Sequence, residues 1–320
     1  MSEAKKRLYI QEVATRDGFQ NESRFVETDA KIALVNGLSQ CGFAKIEVTS
    51  FTSPKAIPAL RDAEAVMHRI TRKPGVIYTV LVPNVRGAER ALSSGVDEVN
   101  LVMSLSESHN RSNLRMTREQ SFAQFTEVIS VVAKTDVAIN VSLSTAMGCP
   151  MEGDVPVEEV LRWIQRFADL NVHGVTLCDT TGMAFPSQVH NLCFQAKRAF
   201  SGLDFTLHFH NTRGMALANT LAAIDAGVDR FDSSLGGLGG CPYAPGATGN
   251  VCTEELVHML ELDGYDTGVD LAAVLDNAAL LPHLIGHDVP SQILKAGRRL
   301  DLHPMATDVA GGLPEQRAFV

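Results

Sequence analysis

The chain has 320 residues, 45% hydrophobic and 20% charged, with a formal net charge of −9. That balance belongs to a globular protein with ample core, and the acidic surplus, with no dense lysine or arginine cluster, argues against a nucleic-acid partner. No apolar run is long enough to span a bilayer, which argues against a membrane partner.

In chain order, short β-branched runs predict strands at Leu8 to Val13, Lys45 to Thr49, Val76 to Val82 and Glu98 to Met103. Four more follow at Val137 to Leu143, Gly174 to Leu177, Phe205 to His208 and Arg230 to Ser233. Each precedes a stretch of helical apolar spacing, such as Val157 to Leu170 and Met215 to Ala226. Pro156 and Pro186 sit near helix starts, and Gly95, Gly174 and Gly227 near helix ends. Eight such units in roughly 250 residues match an α/β fold, the (β/α)8 TIM barrel, with a short C-terminal helical extension. The rival, a doubly wound sheet, needs a Gly-x-Gly-x-x-Gly turn where Arg16-Asp17-Gly18-Phe19 stands. No linker divides the chain, so one catalytic domain is expected over residues 1–305, with a mobile tail at 306–320.

The start, Met1 to Arg7, is charged and has no apolar signal core. Six cysteines (Cys41, Cys149, Cys178, Cys193, Cys241, Cys252) show no Cys-x-x-Cys spacing. They read as reduced thiols of a cytoplasmic protein, with Cys178 and Cys193 as core residues.

A barrel of this kind works at the carboxyl ends of its strands. The polar groups predicted there are Arg16, Asp17, Glu47, Asn84, Ser144, Asp179, His208 and His210, with the loop at Gly236 after the last strand. His208-Phe209-His210 sends two imidazoles to one face and Phe209 to the other. With Asp17 and an amide oxygen they form a mixed nitrogen–oxygen set suited to Mg²⁺ or Mn²⁺, with Zn²⁺ or Co²⁺ able to substitute. The plainer alternative is a pair of strand-end histidines bonded to backbone. An arginine beside that set, Arg16, would stabilise negative charge developing in a reaction, where a surface ion pair with Asp17 is the bland alternative. Glu47 either orients Arg16 or sits at the rim. Asp179 either serves the site or caps a turn. The glycine-rich run from Gly236 to Asn250 reads as a lid carrying Cys241 and Asn250 as reactive and ligating groups. No lysine ends a strand, which disfavours a Schiff-base aldolase.

Together these residues resemble the 3-hydroxy-3-methylglutaryl-CoA lyase family, within the metal-dependent barrel group that includes isopropylmalate and homocitrate synthases. The resemblance is carried by Arg16-Asp17-Gly18 with Gln20, by Ile46-Glu47-Val48-Thr49-Ser50-Phe51 and by Gly148-Cys149-Pro150. His208-x-His210 and Gly239-Gly240-Cys241-Pro242-Tyr243-Ala244 with Gly246 and Gly249-Asn250 complete it. It spans about Tyr9 to Gly268. It implies that Asp17, His208, His210 and Asn250 ligate Mg²⁺ or Mn²⁺, that Arg16 neutralises an enolate, and that Cys241 takes part in proton transfer. Glu47 and Asp179 would support the catalytic groups, His208 among them. The implied reaction is retro-Claisen cleavage of a 3-hydroxyacyl-CoA to acetyl-CoA and a ketone or keto acid. A condensing synthase of the same group is the alternative. The sequence departs from the family at Ser142, where a tyrosine is usual, at Asn211, where aspartate is usual, and over Ser106 to Arg111. Arg16, Ser142, Ser144 and His109 are the expected substrate contacts, citramalyl-CoA is an alternative substrate, and a homodimer stays open.

Overall fold

Successive side chains of a strand point to opposite faces, and in this protein the two faces differ in chemistry. The computed structural model describes residues 5–240 and 249–302. Its strands are β1 (Tyr9–Glu12), β2 (Lys45–Ser50), β3 (Ile77–Leu81), β4 (Glu98–Ser104), β5 (Ala138–Ser144), β6 (Gly174–Asp179), β7 (Asp204–Phe209) and β8 (Arg230–Ser233). All pair in parallel with their sequence neighbours, and β1 pairs with β8, so the sheet closes on itself. This is the predicted (β/α)8 barrel. The predicted strand limits agree with the observed ones to within two residues, and those of β8 coincide.

The outward face is apolar. Ile10, Ile46, Val80, Leu101, Val141, Leu177, Leu207 and Phe231 are buried there against the helices, each contributing about 1.5–3 kcal/mol by leaving water. The inward face is polar. Gln11 on β1 reaches Thr206 on β7 at 3.2 Å across the intervening β8, and Lys45 on β2 meets Glu98 on β4 at 2.6 Å across β3. Only inward-pointing pairs can make such contacts. Barrel interiors are usually filled by branched apolar residues, so a hydrogen-bonded interior is a departure that must be satisfied atom by atom.

The helices are α1 (Thr28–Gln40), α2 (Ala63–Arg69), α3 (Val85–Ser93), α4 (Glu107–Leu114), α5 (Arg118–Val132) and α6 (Val157–Ala168). After them come α7 (Pro186–Ala199), α8 (Ala216–Asp225), α9 (Thr253–Leu262), α10 (Leu271–Ala278), α11 (Leu281–Ile285) and α12 (Gln292–Ala296). The last three form the short helical extension. The expected tail at 306–320 lies outside the described residues.

The segment around His109 forms the helix α4. Ser106 caps it by accepting the His109 N–H at 3.1 Å, and Arg115 in the left-handed region (φ 57°) ends it. Its sequence, Glu-Ser-His-Asn-Arg-Ser-Asn-Leu, has no apolar periodicity, so its helical state comes from the cap and from packing. No helix among the described residues is long and apolar enough to cross a membrane.

Candidate active site

Arg16 and Asp17 sit in one wide helical turn, Ala14–Gly18, directly after β1. The N–H groups of Asp17 and Gly18 both turn back to the Val13 carbonyl, at 2.7 and 3.4 Å. Such π-type turns recur at functional sites because they push one residue out of register. The Thr15 hydroxyl ties the turn to β2 by donating to the Glu47 carbonyl at 3.1 Å. Pairing of β2 with β3 skips a residue between Glu47 and Thr49, and Glu47 then meets Arg16. Its Oε2 accepts from Arg16 Nε at 2.5 Å and pairs with Nη2 at 2.5 Å, while Nη1 lies 2.6 Å from Asp17 Oδ1. Burial alone would pull the guanidinium down, but the charges of Glu47 and Asp17 outweigh it and hold Arg16 above its ordinary pKa. The rim position for Glu47 and the surface ion pair for Arg16 are both excluded by this buried geometry.

The other half of the site comes from β7. Beyond Phe209 the chain continues extended, and His210 pairs antiparallel with Asn250. Two backbone bonds make the join, Val251 N to the Phe209 carbonyl at 2.9 Å and Asn211 N to the Gly249 carbonyl at 3.1 Å. This pairing brings Asn250 beside the imidazoles. Phe209 is buried on the opposite face, as the alternation predicts. Asn250 Nδ2 then donates to Asp17 Oδ2 at 2.7 Å and to the Leu238 carbonyl at 2.9 Å.

Among the described residues, Asp17, His208 and His210 each offer a ligand atom, all within 4.8 Å of one another. Asn250 Oδ1 is buried with no hydrogen-bond partner among the described residues. A buried orphan acceptor is costly, and beside two imidazoles and a carboxylate it fits a divalent cation with mixed nitrogen and oxygen ligands. Burial would raise the Asp17 pKa, but Arg16, the two imidazoles and the Asn250 amide lower it to about 2, so the carboxylate is ionised.

Close approach here depends on glycine. At Gly239 (φ 94°), a Cβ would stand 2.6 Å from Asn250 Nδ2 and 3.0 Å from Asp17 Oδ2. At Gly249 it would fall 1.6 Å from the Gly237 carbonyl oxygen. Cys241, read as the reactive group of this loop, lies outside the described residues.

Asp232 on β8 is the functional neighbour that sequence reasoning missed. Its Oδ2 lies 3.1 Å from His208 Nδ1, an orientation that leaves Nε2 free to face Asp17 and His210. The signal was available, because Asp232 stands two residues into the last predicted strand, on the inward face of a barrel.

Asp179 ends β6 and turns away from the cavity. Its Oδ1 accepts the Met183 and Ala184 N–H groups at 2.7 and 3.2 Å, and its carbonyl accepts the His210 N–H at 3.3 Å. Burial pushes its pKa up to about 6 despite those bonds. The turn-capping alternative describes its carboxylate, and its link to the site runs through backbone.

Above these groups lies a cavity of about 690 Å³. Arg16, Asp17, His208, His210 and Asp232 are at one side, and Leu81, Val82, Leu114, Met116 and Phe125 give an apolar wall. The predicted substrate contacts Ser142, Ser144 and His109 all border it. Burial lowers the pKa of His109. Asn84 borders it too while capping α3 through the Gly87 N–H at 2.9 Å. Cys193 is in the core as expected, but Cys178, read as a core thiol, also borders the cavity.

A closed barrel with a buried arginine and a cation-type donor set at its carboxyl mouth places the chain among (β/α)8 barrel enzymes. More narrowly, the profile described as HMGL-like matches residues 7–281, and the chain belongs to that family. Similar curated proteins include hydroxymethylglutaryl-CoA lyase YngG of Bacillus subtilis, 43% identical over 91% of this chain and 97% of the relative. The mitochondrial hydroxymethylglutaryl-CoA lyase of Homo sapiens is 37% identical over 92% of this chain and 91% of its own. Among solved structures, an HMG-CoA lyase from Acinetobacter baumannii in complex with coenzyme A and 3-methylmalate superposes with a TM-score of 0.90. It is 49% identical over 96% of this chain and 100% of that one. These named relatives are carbon–carbon lyases.

Proposed function

We propose that this chain cleaves 3-hydroxy-3-methylglutaryl-CoA to acetyl-CoA and acetoacetate, with a close 3-hydroxyacyl-CoA such as citramalyl-CoA as the variant substrate. The observation that carries the reading is the convergence of Arg16 with Asp17, His208, His210 and Asn250 beneath a cavity that has one apolar wall. The lyase names and the coenzyme A complex among the relatives support the same reading.

Asp17, His208, His210 and Asn250 would hold Mg²⁺ or Mn²⁺. Bound there, a divalent cation supplies Lewis acidity that lowers the pKa of a substrate hydroxyl. Everything else falls to the chain. As the hydroxyl proton passes to solvent water, the bond between C2 and C3 breaks, C3 becomes a carbonyl carbon, and the electron pair passes into the thioester as an enolate. The Arg16 guanidinium, held by Glu47 and Asp17, neutralises that enolate. Cys241 is the proposed proton donor to C2, which completes acetyl-CoA. Ser142, Ser144 and His109 would border the acyl group. Asp179 supports the site by fixing the strand end at His210.

Purified protein with Mg²⁺ and a panel of 3-hydroxyacyl-CoAs provides the test. The highest kcat/KM for acetyl-CoA release is expected with 3-hydroxy-3-methylglutaryl-CoA. Consumption of acetyl-CoA with 2-oxo acids, and no cleavage of any member of the panel, would favour the condensing synthase instead.

A further inference from the structure

The barrel interior carries a line of amide and hydroxyl groups that the cleavage chemistry does not use. At its centre is Asn100 on β4, buried below the cavity and absent from its lining. Its Nδ2 donates to Glu47 Oε1 at 2.9 Å. The other Glu47 oxygen is the one that holds Arg16 Nε and Nη2 at 2.5 Å. On its far side, Asn100 Oδ1 accepts from Asn140 Nδ2 at 3.0 Å and from the Ser142 hydroxyl at 2.9 Å. Asn140 Nδ2 also reaches Thr176 Oγ1 at 2.9 Å, so the line is anchored on β6.

The direction of these bonds is fixed by chemistry rather than by choice of orientation. Burial raises the Glu47 pKa, but the Arg16 guanidinium held at 2.5 Å on its other oxygen favours the carboxylate, which can only accept, so the Asn100 group facing it is the NH₂. The amide oxygen then faces Ser142, whose single proton is committed to it. Ser142 in turn offers the cavity only its lone pairs.

We infer that Asn100 is a positioning residue for carbon–carbon cleavage, an inference that rests on the lyase reading. It holds the Glu47 carboxylate in place, and through Glu47 it fixes the plane of the Arg16 guanidinium at the developing enolate. A misplaced arginine would still bind anions but would no longer meet the charge where it develops, so the loss falls on turnover rather than on binding. Nothing in this role requires Asn100 to touch substrate.

Asn100→Asp is the informative variant, because it keeps the shape and the acceptor for Ser142 and Asn140 while replacing the donor to Glu47. The introduced carboxyl would face Glu47, with Arg16, Asp232 and the Lys45–Glu98 ion pair the other charged groups of the barrel interior there. Measured with 3-hydroxy-3-methylglutaryl-CoA and Mg²⁺ at about pH 8, kcat should fall about a hundredfold. KM and calorimetric Mn²⁺ affinity should stay within about twofold of wild type. The deficit should shrink as pH falls towards about 6, because a proton shared by the two carboxyls restores a donor to Glu47. Asn100→Ser, which is too short to reach Glu47, should show the same turnover loss without the pH recovery.

Either variant turning over at the wild-type rate would overturn the inference. So would a pH-independent loss in Asn100→Asp, or a loss matched by weakened Mn²⁺ binding. The wild-type control separates the two layers. An inactive wild type would overturn the lyase reading and this inference together, whereas an active wild type with an unimpaired Asn100→Asp would overturn the inference alone.

Discussion

The Asp17 carboxylate and the Asn250 amide, 233 residues apart in sequence, meet at 2.7 Å. Barrel closure makes this contact, since β1 pairs with β8 and the segment after β8 folds back onto the end of β7. The donor set is therefore complete only when the barrel is closed.

Arg16 carries the developing charge in this account. Arg16→Met should lower kcat by about 10²–10³-fold, the magnitude expected for losing an oxyanion donor, while calorimetric Mn²⁺ affinity changes little. Turnover close to wild type would remove the enolate role from Arg16.

Asp232 is expected to act through His208. Asp232→Asn keeps the shape but weakens the carboxylate–imidazole bond, and Mn²⁺ affinity should fall about 10–100-fold. Unchanged affinity with a parallel loss of thermal stability would make Asp232 a packing residue of the barrel floor.

The fold and half of the site were legible in the sequence, for identifiable reasons. Strands such as Glu98–Ser104 are short β-branched runs bounded by turns, and the His-x-His alternation fixes a shared face whatever the rest of the fold does. The pairing of His210 with Asn250 was not legible, because backbone hydrogen bonds between distant segments leave no local pattern. Neither was α4, whose polar sequence lacks helical periodicity. The polar barrel interior was hidden for the opposite reason. Asn100, Asn140 and Thr176 alternate with apolar residues as any half-buried strand would, and only closure turns their face inward.

Gly239 gives a steric test of the site. Gly239→Ala places a Cβ against Asn250 and Asp17 in a left-handed backbone conformation. Mn²⁺ affinity and turnover should both drop by at least about tenfold, an energy of roughly 1.4 kcal/mol in binding. A variant with wild-type Mn²⁺ binding would show that Asn250 has room to move and is not held for ligation.

Glu12 sets a pH dependence of stability away from the chemistry. Burial pushes its pKa up to about 8, although its oxygens accept the Ala14 and Leu235 N–H groups at 2.8 and 2.9 Å and lie 2.7 Å from the Thr253 hydroxyl. The fold therefore prefers the protonated carboxyl. Its contribution is full below the ordinary value of 4.5 and is lost as pH rises through about 8. Glu12→Gln mimics the neutral form, so the wild-type Tm should decline relative to the variant between those two values. Parallel Tm curves for the two proteins would show that the Glu12 carboxyl ionises at its ordinary value in the folded state as well.

The cation site itself is best tested by growing crystals with Mn²⁺ and measuring anomalous diffraction. A single strong peak is expected within bonding distance of Asp17, His208, His210 and Asn250, lost in His210→Ala. A protein that releases acetyl-CoA from 3-hydroxy-3-methylglutaryl-CoA with no peak at those four residues would contradict the account.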